Sequence, residues 1–175
     1  DADCAVCVME VSSHALAQHR VDAIEFDAAL FTNLTQDHLD YHGDMEAYFA
    51  TKRLLFDGLK KGAVVVTNLD DTYGARLVKE GTLTFGHSEN AVICAGDFTL
   101  GAESTQLTVI TPNGSVSFLL PLIGRHNISN ALAAYSIANA MRVDGHIIAE
   151  ALADVPPVHG RLEAIVAGQP FGLFV

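Results

Sequence analysis

Apolar segments alternate with amphipathic ones along the first half of the chain, and this alternation limits the possible folds most. Strands are expected at residues 4–11, 27–34, 62–68 and 82–85. Helices are expected between them, at residues 12–20, 44–57 and 70–80. Apolar strands separated by helices are typical of a parallel sheet that is covered on both faces. The sequence therefore predicts an α/β fold with a mostly parallel sheet flanked by helices.

The pattern changes after Gly86. Residues 91–120 alternate between apolar and polar side chains on either side of the turn sequence TPNGS, which predicts a small insertion of antiparallel strands. Helices are then expected over 127–142 and 144–155, and PPVHGRLEAIV leads into a further strand. The length of 175 residues suits one domain.

Composition excludes several classes of protein. The formal net charge of −11 argues against a nucleic-acid surface, which needs basic side chains to neutralise phosphates. No apolar run is long enough for a membrane span and no signal peptide is visible, so we expect a cytoplasmic protein. We separately expect a monomer. The chain begins without Met and ends on the strand-like sequence FGLFV, which indicates a fragment of a longer protein.

Cys4 and Cys7 form a C-x-x-C pair, which is compatible with zinc binding or redox chemistry. The surrounding sequence CAVCVMEV reads as a buried strand, and residues three apart on a strand point to opposite faces. No second C-x-x-C follows. We therefore expect both cysteines to be structural, as suits a reducing compartment.

Polar side chains follow three of the expected strands, where ligands bind in open α/β sheets. Glu10 closes the first strand, and a buried carboxylate there needs a partner such as Mg²⁺. Asp37 and His38 follow the second strand. After the third strand come Asn68, Asp70 and Asp71, for which helix capping and turn formation are the simpler interpretation.

The helix expected at 44–57 has a lysine on its apolar face. The face is formed by Met45, Tyr48, Phe49, Leu55 and Phe56, with Lys52 in the position that completes it. A lysine there can extend its charged end to solvent. Alternatively, burial favours the neutral amine, which forms a Schiff base or takes up CO₂ to give a carbamate with metal-binding oxygens.

His38 and His42 are four residues apart and are separated by acidic residues. This spacing is effective for metal binding on a helix, but the segment reads as a loop, where solvated histidines are more common. The spacing alone is therefore compatible with either a metal site or a solvent-exposed loop. The metal site could be that of a metal-dependent hydrolase that uses Asp37, His38 and His42.

Several motifs together resemble the central domain of the Mur ligases. They are MEVSSHALAQHR, FTNLTQDHLDYHG, TKRLLF, NLDD, IGRHNISNALAA and HGRLE, and they extend from about Val8 to Glu163. The resemblance implies an ATP-dependent amide ligase of peptidoglycan synthesis that adds diaminopimelate or lysine to UDP-MurNAc-L-Ala-D-Glu through an acyl phosphate. A related ligase of the folylpolyglutamate or cyanophycin type is the nearest alternative, and EVSSH with DYHG argues against it.

The resemblance also implies roles for individual residues. Glu10 would hold the Mg²⁺ that is shared with ATP, and His38 a second Mg²⁺. Lys52 matches the lysine that is carbamylated in this family, and its carbamate would support the second ion. The remaining matches are Ser12, Gln18 and Arg20 for UDP-MurNAc-dipeptide, Asn127 and Asn130 for adenine, and Arg161 for the ATP phosphates.

The resemblance further implies that segments of the family enzyme lie outside this chain. The phosphate-binding loop would precede Asp1, and a DYAHTP-like sequence would begin after Val175. The N-terminal domain that binds uridine and the C-terminal domain that selects the amino acid would also lie outside. We therefore expect the fragment to be inactive on its own.

Overall fold

The computed structural model describes residues 3–156 and 168–169. Strands lie at β1 (Ala28–Phe31), β2 (Val64–Asn68), β3 (Leu83–Gly86), β4 (Ile93–Leu100), β5 (Thr105–Thr111) and β6 (Gly114–Leu120). Helices lie at α1 (Ser13–Ala17), α2 (Leu39–His42), α3 (Met45–Asp57), α4 (Thr72–Ala75), α5 (Arg125–Ala140) and α6 (Gly145–Ala153). The α/β fold class is confirmed. The strand expected from PPVHGRLEAIV lies outside the described residues.

The chain divides into two compact units. The first contains the described residues of 1–29 and 34–63, and the second contains those of 30–33 and 64–175. Within the described part of the chain, no helix is both long enough and apolar enough to cross a membrane.

The described strands form one sheet in the order β1-β2-β3-β4-β5-β6. β2 pairs with β3 and β3 with β4 in parallel, whereas β4 with β5 and β5 with β6 are antiparallel. The antiparallel strands expected over 91–120 are therefore confirmed. They extend the parallel sheet edge to edge instead of forming a detached flap, because β4 pairs with β3 at Ile93 and Cys94 and with β5 from Cys94 to Leu100.

Helix α5 covers one face of this sheet. Ile128, Leu132 and Tyr135 of its expected apolar stripe are buried, and Ala138 is partly buried. They share a core with the sheet residues Val66, Phe85, Ile93, Leu107, Val109 and Leu120. Each large apolar side chain that is fully buried contributes about 1.5–3 kcal/mol. This core holds the second unit together.

Arg142 follows the end of α5 in a backbone conformation that favours glycine. Its φ is 67°, its N–H donates to the Asn139 carbonyl, and the Val143 N–H reaches back to the Ala138 carbonyl, which is a Schellman arrangement. Because glycine adopts this conformation without strain, Arg142→Gly is expected to stabilise the fold by about 1 kcal/mol. Urea unfolding measures the change, and a loss of stability would contradict the strain.

The strand expected at residues 4–11 is wrong. The structure gives these residues no strand, and Val6 and Val8 are 74% and 93% exposed. Cys4 and Cys7 are exposed free cysteines, so their expected burial is also wrong. No described strand hydrogen-bonds to the segment, and an isolated strand gains too little from its own backbone to stay ordered.

Helix α3 organises the first unit, where it packs against α1 and α2. Asp44 caps its N-terminus by accepting a 2.8 Å hydrogen bond from the Ala47 N–H. Tyr48, Phe49 and Phe56 form its buried face. The helix expected at 44–57 is therefore confirmed, and with it the apolar face that contains Lys52.

Candidate active site

Lys52 is half-buried on the apolar face of α3, where the sequence places it. Its Nζ lies 5.3 Å from the ring centroid of Tyr48. Burial lowers the pKa of this amine below its ordinary value of 10.5, while the carboxylates of Glu10 and Asp37 oppose the shift. The site therefore increases the neutral, nucleophilic fraction of the lysine and keeps two carboxylates near it.

Lys60 provides an internal comparison, since its hydrogen bond with Asp27 raises its pKa above 10.5. In an NMR titration of isotope-labelled lysines, we expect Lys52 to lose its proton at a lower pH than Lys60. Unfolding returns Lys52 to its ordinary pKa, so the unfolded chain binds this proton more tightly. The contribution of Lys52 to stability therefore rises with pH between its lowered pKa and 10.5. Coinciding titrations of the two lysines would contradict the burial effect.

His38 precedes a single helical turn, α2, which the sequence led us to expect as a loop. Its φ is 53°, in the left-handed region where histidine is more frequent than most residues. Its backbone N–H donates to Asp37 Oδ1 at 2.8 Å, and its Nδ1 lies 3.4 Å from the same oxygen. Asp37 thus stabilises the backbone of His38 by a hydrogen bond and lies close to its ring.

Three histidines and two tyrosines form a cluster of rings in the first unit. Ring centroids are 4.9 Å apart between His14 and His38, 4.3 Å between His14 and Tyr41, and 4.8 Å between His42 and Tyr48. The last pair is stacked, with 13° between the ring planes. Burial, followed by electrostatic interaction with His14, His38 and Lys52, lowers the pKa of His42, and Asp40 opposes this shift. Neutral imidazole is therefore favoured at the centre of the cluster.

Ser13 is a site residue that the sequence reasoning did not single out. It is 1% exposed, and its Oγ lies 2.9 Å from His42 Nε2. It is also a hydrogen-bond partner of the Tyr48 side chain. A serine beside a helix start usually indicates a cap, and that role belongs to Ser12. No local signal in the sequence therefore distinguishes the buried serine from the capping one.

Glu10 was expected to be buried at a strand end, and this is wrong. The residue is exposed, because its segment does not join the sheet.

The carboxylate-rich donors of the first unit suit Mg²⁺ better than zinc. Among residues 3–156, no group of three or more His, Cys, Asp or Glu side chains is placed to hold a metal ion. Mg²⁺ needs few protein ligands when phosphate oxygens and water complete its shell. The donors present fit that incomplete type of site.

The residues matched to the nucleotide-sugar peptide lie around α1. Ser12 caps the helix, and its Oγ accepts a 3.1 Å hydrogen bond from the Ala15 N–H. Gln18 ends the helix, and both Gln18 and Arg20 are exposed. A guanidinium in that position is accessible to an anionic ligand.

The residues matched to adenine lie on the first turns of α5, in the second unit. Asn127 is buried, and its Nδ2 donates to the Ile123 carbonyl at 2.9 Å. Its Oδ1 accepts a 3.2 Å hydrogen bond from Nδ2 of Asn130, which is exposed. Asn127 therefore orients Asn130, and Asn130 has the more accessible amide. Arg161 lies outside the described residues.

The polar residues after β2 have structural roles, which confirms the simpler interpretation of helix capping and turn formation. Asn68 donates to the Thr32 carbonyl and accepts from the Asp70 N–H. The Asp70 carboxylate accepts the N–H groups of His87 and Ser88. Asp71 caps α4. These contacts build the turn after β2 and leave the chemistry to other residues.

Comparisons with known proteins agree with this geometry. The Mur ligase middle domain family matches residues 1–138. The UDP-N-acetylmuramoyl-L-alanyl-D-glutamate–2,6-diaminopimelate ligases of Trichormus variabilis and of a Nostoc species are each 44% identical to the chain over 172 residues, covering 94% of this chain and 34% of each relative. The chain thus spans about a third of the length of these curated relatives.

A solved structure of a ligase with the same name is 29% identical to the chain. It has a TM-score of 0.79 and covers 89% of this chain and 34% of that protein. The family match is consistent with the strand order of the sheet and with the position of Lys52 on α3. The chain belongs to the Mur ligase middle domain family.

Proposed function

We propose that the complete protein containing this chain is an ATP-dependent UDP-N-acetylmuramoyl-tripeptide synthetase. It would join 2,6-diaminopimelate to UDP-MurNAc-L-Ala-D-Glu in peptidoglycan synthesis, with lysine as the alternative amino acid. The observation that carries the proposal is Lys52, half-buried on α3 and near the carboxylates of Glu10 and Asp37. The names of the 44%-identical relatives support diaminopimelate over lysine.

In the proposed reaction, an oxygen of the substrate carboxylate attacks the γ-phosphorus of ATP, and the bond to the β-phosphate oxygen breaks to release ADP. The amine then attacks the carbonyl carbon of the acyl phosphate. The carbon–oxygen bond breaks, phosphate leaves, and the amine nitrogen loses a proton. Little covalent chemistry falls to the protein in such transfers, so positioning and neutralisation of charge dominate.

Within the first unit, Glu10 would hold the Mg²⁺ shared with ATP, and His38 together with a carbamate on Lys52 would hold a second Mg²⁺. When bound, these ions neutralise charge on phosphate oxygens. Asp37 accepts the backbone N–H of His38 and so helps to hold its backbone in place. Exposed Gln18 and Arg20 would bind the anionic nucleotide-sugar peptide, and in the second unit Asn130, oriented by Asn127, would contact adenine.

We further propose a monomeric cytoplasmic enzyme whose partners are its small-molecule substrates, without nucleic acid or membrane. A metal-dependent hydrolase is less well supported, because the 44%-identical relatives are named as diaminopimelate ligases. The folylpolyglutamate and cyanophycin type is less well supported than the stem-peptide ligase, given the 44% identity to diaminopimelate ligases.

The test is phosphate release by the complete protein with ATP, Mg²⁺ and UDP-MurNAc-L-Ala-D-Glu, with diaminopimelate or lysine added in turn. We expect release that needs both the nucleotide-sugar peptide and diaminopimelate. Release with lysine alone would correct the amino acid. No release with either amino acid would remove the stem-peptide assignment and favour the related ligases.

A further inference from the structure

A continuous series of contacts leads from the buried Ser13 to Lys52. Ser13 Oγ lies 2.9 Å from His42 Nε2. The His42 ring stacks on Tyr48 with a centroid separation of 4.8 Å. The Tyr48 ring lies 5.3 Å below the Lys52 Nζ. All four residues belong to the first unit.

Contacts within this series restrict the side-chain movement of Ser13, His42 and Tyr48. Ser13 is 1% exposed and Tyr48 is 6% exposed, so neither side chain has room to move freely. A buried hydroxyl needs a hydrogen-bond partner, and the imidazole of His42 provides one. The imidazole is thereby held in the orientation in which it lies nearly parallel to the phenol ring, 13° apart.

We propose that His42 and Tyr48 are positioning residues for Lys52. Ser13 is a hydrogen-bond partner of both His42 and Tyr48, the imidazole stacks on the phenol ring, and the ring limits where the lysine Nζ lies. The role of this arrangement rests on the proposed function, in which Lys52 becomes a carbamate. In that step the neutral Nζ attacks the carbon of CO₂, a nitrogen–carbon bond forms, one carbon–oxygen π bond becomes an oxyanion, and the proton on nitrogen passes to water.

The stack assists this step by geometry. A flexible lysine samples many rotamers, and fixing it costs side-chain entropy. The Tyr48 ring covers one side of the amine and removes part of that freedom before CO₂ arrives. Removing a partner that orients a metal ligand typically lowers metal affinity or activity by about 10–100-fold, and the Lys52 carbamate would be such a ligand.

Variants of the complete protein separate the ring stack from the hydrogen bond. His42→Gln keeps a polar partner for Ser13 but has no ring, whereas His42→Phe keeps the ring and loses the hydrogen bond. Ser13→Ala removes the anchor with little change in volume. His146→Ala changes an exposed histidine on α6 and is the matched control.

The measurement is carbon NMR of the carbamate after equilibration with labelled bicarbonate, with Lys52→Ala as the blank. We expect His42→Gln to lower the carbamate fraction about tenfold, Ser13→Ala to lower it less, and His42→Phe to retain most of it. His146→Ala should match the wild type. Thermal melting verifies that each variant is folded.

A carbamate fraction unchanged in both His42→Gln and Ser13→Ala would overturn the positioning role, even in an active ligase. The absence of a carbamate signal in the wild type would also overturn it. If the protein released no phosphate but lost the carbamate in His42→Gln, the proposed function would fail while the positioning role held. The two proposals are thus tested separately.

Discussion

Lys52→Ala is expected to lower ATP-dependent phosphate release by the complete protein about a hundredfold to a thousandfold, the typical cost of removing one group that stabilises developing charge. The amine lies half-buried over Tyr48 with Glu10 and Asp37 near it, and burial lowers its pKa. Alanine at this position retains neither the amine nor a carbamate. The second Mg²⁺ would then lack the carbamate oxygens that support it beside His38.

The measurement is the rate of phosphate release with all substrates present, repeated with added acetate or formate. Because a small carboxylate offers the same oxygens as a carbamate, we expect partial recovery of Lys52→Ala. Lys61→Ala removes an exposed lysine just beyond α3 and should behave like the wild type. Full activity in Lys52→Ala would leave the ligase assignment standing and reduce Lys52 to a lysine that merely extends its charge to solvent.

Gly74→Ala is expected to destabilise the fold by about 3 kcal/mol, at the upper end for overpacking. Gly74 is buried in α4, and a Cβ there would lie 2.2 Å from the Asn68 carbonyl oxygen and 3.1 Å from Thr67 Oγ1. The carbonyl belongs to the backbone of β2 and cannot rotate away. Thr67 Oγ1 also donates to the Gly74 carbonyl at 2.9 Å, so any shift of α4 breaks that bond.

Urea unfolding measures this loss, and Ala75→Gly is its matched control. Ala75 is the exposed neighbour on the same short helix, where exchanging alanine for glycine costs about 1 kcal/mol through helix propensity alone. We therefore expect Gly74→Ala to be clearly the worse of the two, although glycine is ordinarily the poorer helix former. Equal stability of Gly74→Ala and wild type would show that β2 and α4 separate more easily than their contacts indicate.

Several sites were predictable because their signals are local. The apolar stripe of α3 placed Lys52 on a buried helix face, since helical periodicity fixes which side chains share a face. Caps and a turn were likewise indicated locally by Asn68, Asp70 and Asp71, because short polar side chains form hydrogen bonds with nearby backbone groups. The structure confirms both.

The errors concern features that depend on distant neighbours. Residues 4–11 have the composition of a buried strand, but a strand needs another strand beside it, and the described residues supply none. The expected burial of Glu10 was wrong for the same reason. One further error is local instead: the loop expected around His38 is a short helical turn whose start is stabilised by the neighbouring Asp37.

Most of the alternation of helices and strands, the lysine on the apolar face of α3 and the family could be recognised in the sequence, because periodicity and motif spacing are properties of a short length of chain. Which side chains meet depends on how the helices pack. Ser13 and His42 are 29 residues apart, and only the packing of α1 and α2 against α3 brings them to 2.9 Å and stacks His42 on Tyr48. The surroundings of Lys52 are therefore set by contacts between elements, which no single segment encodes.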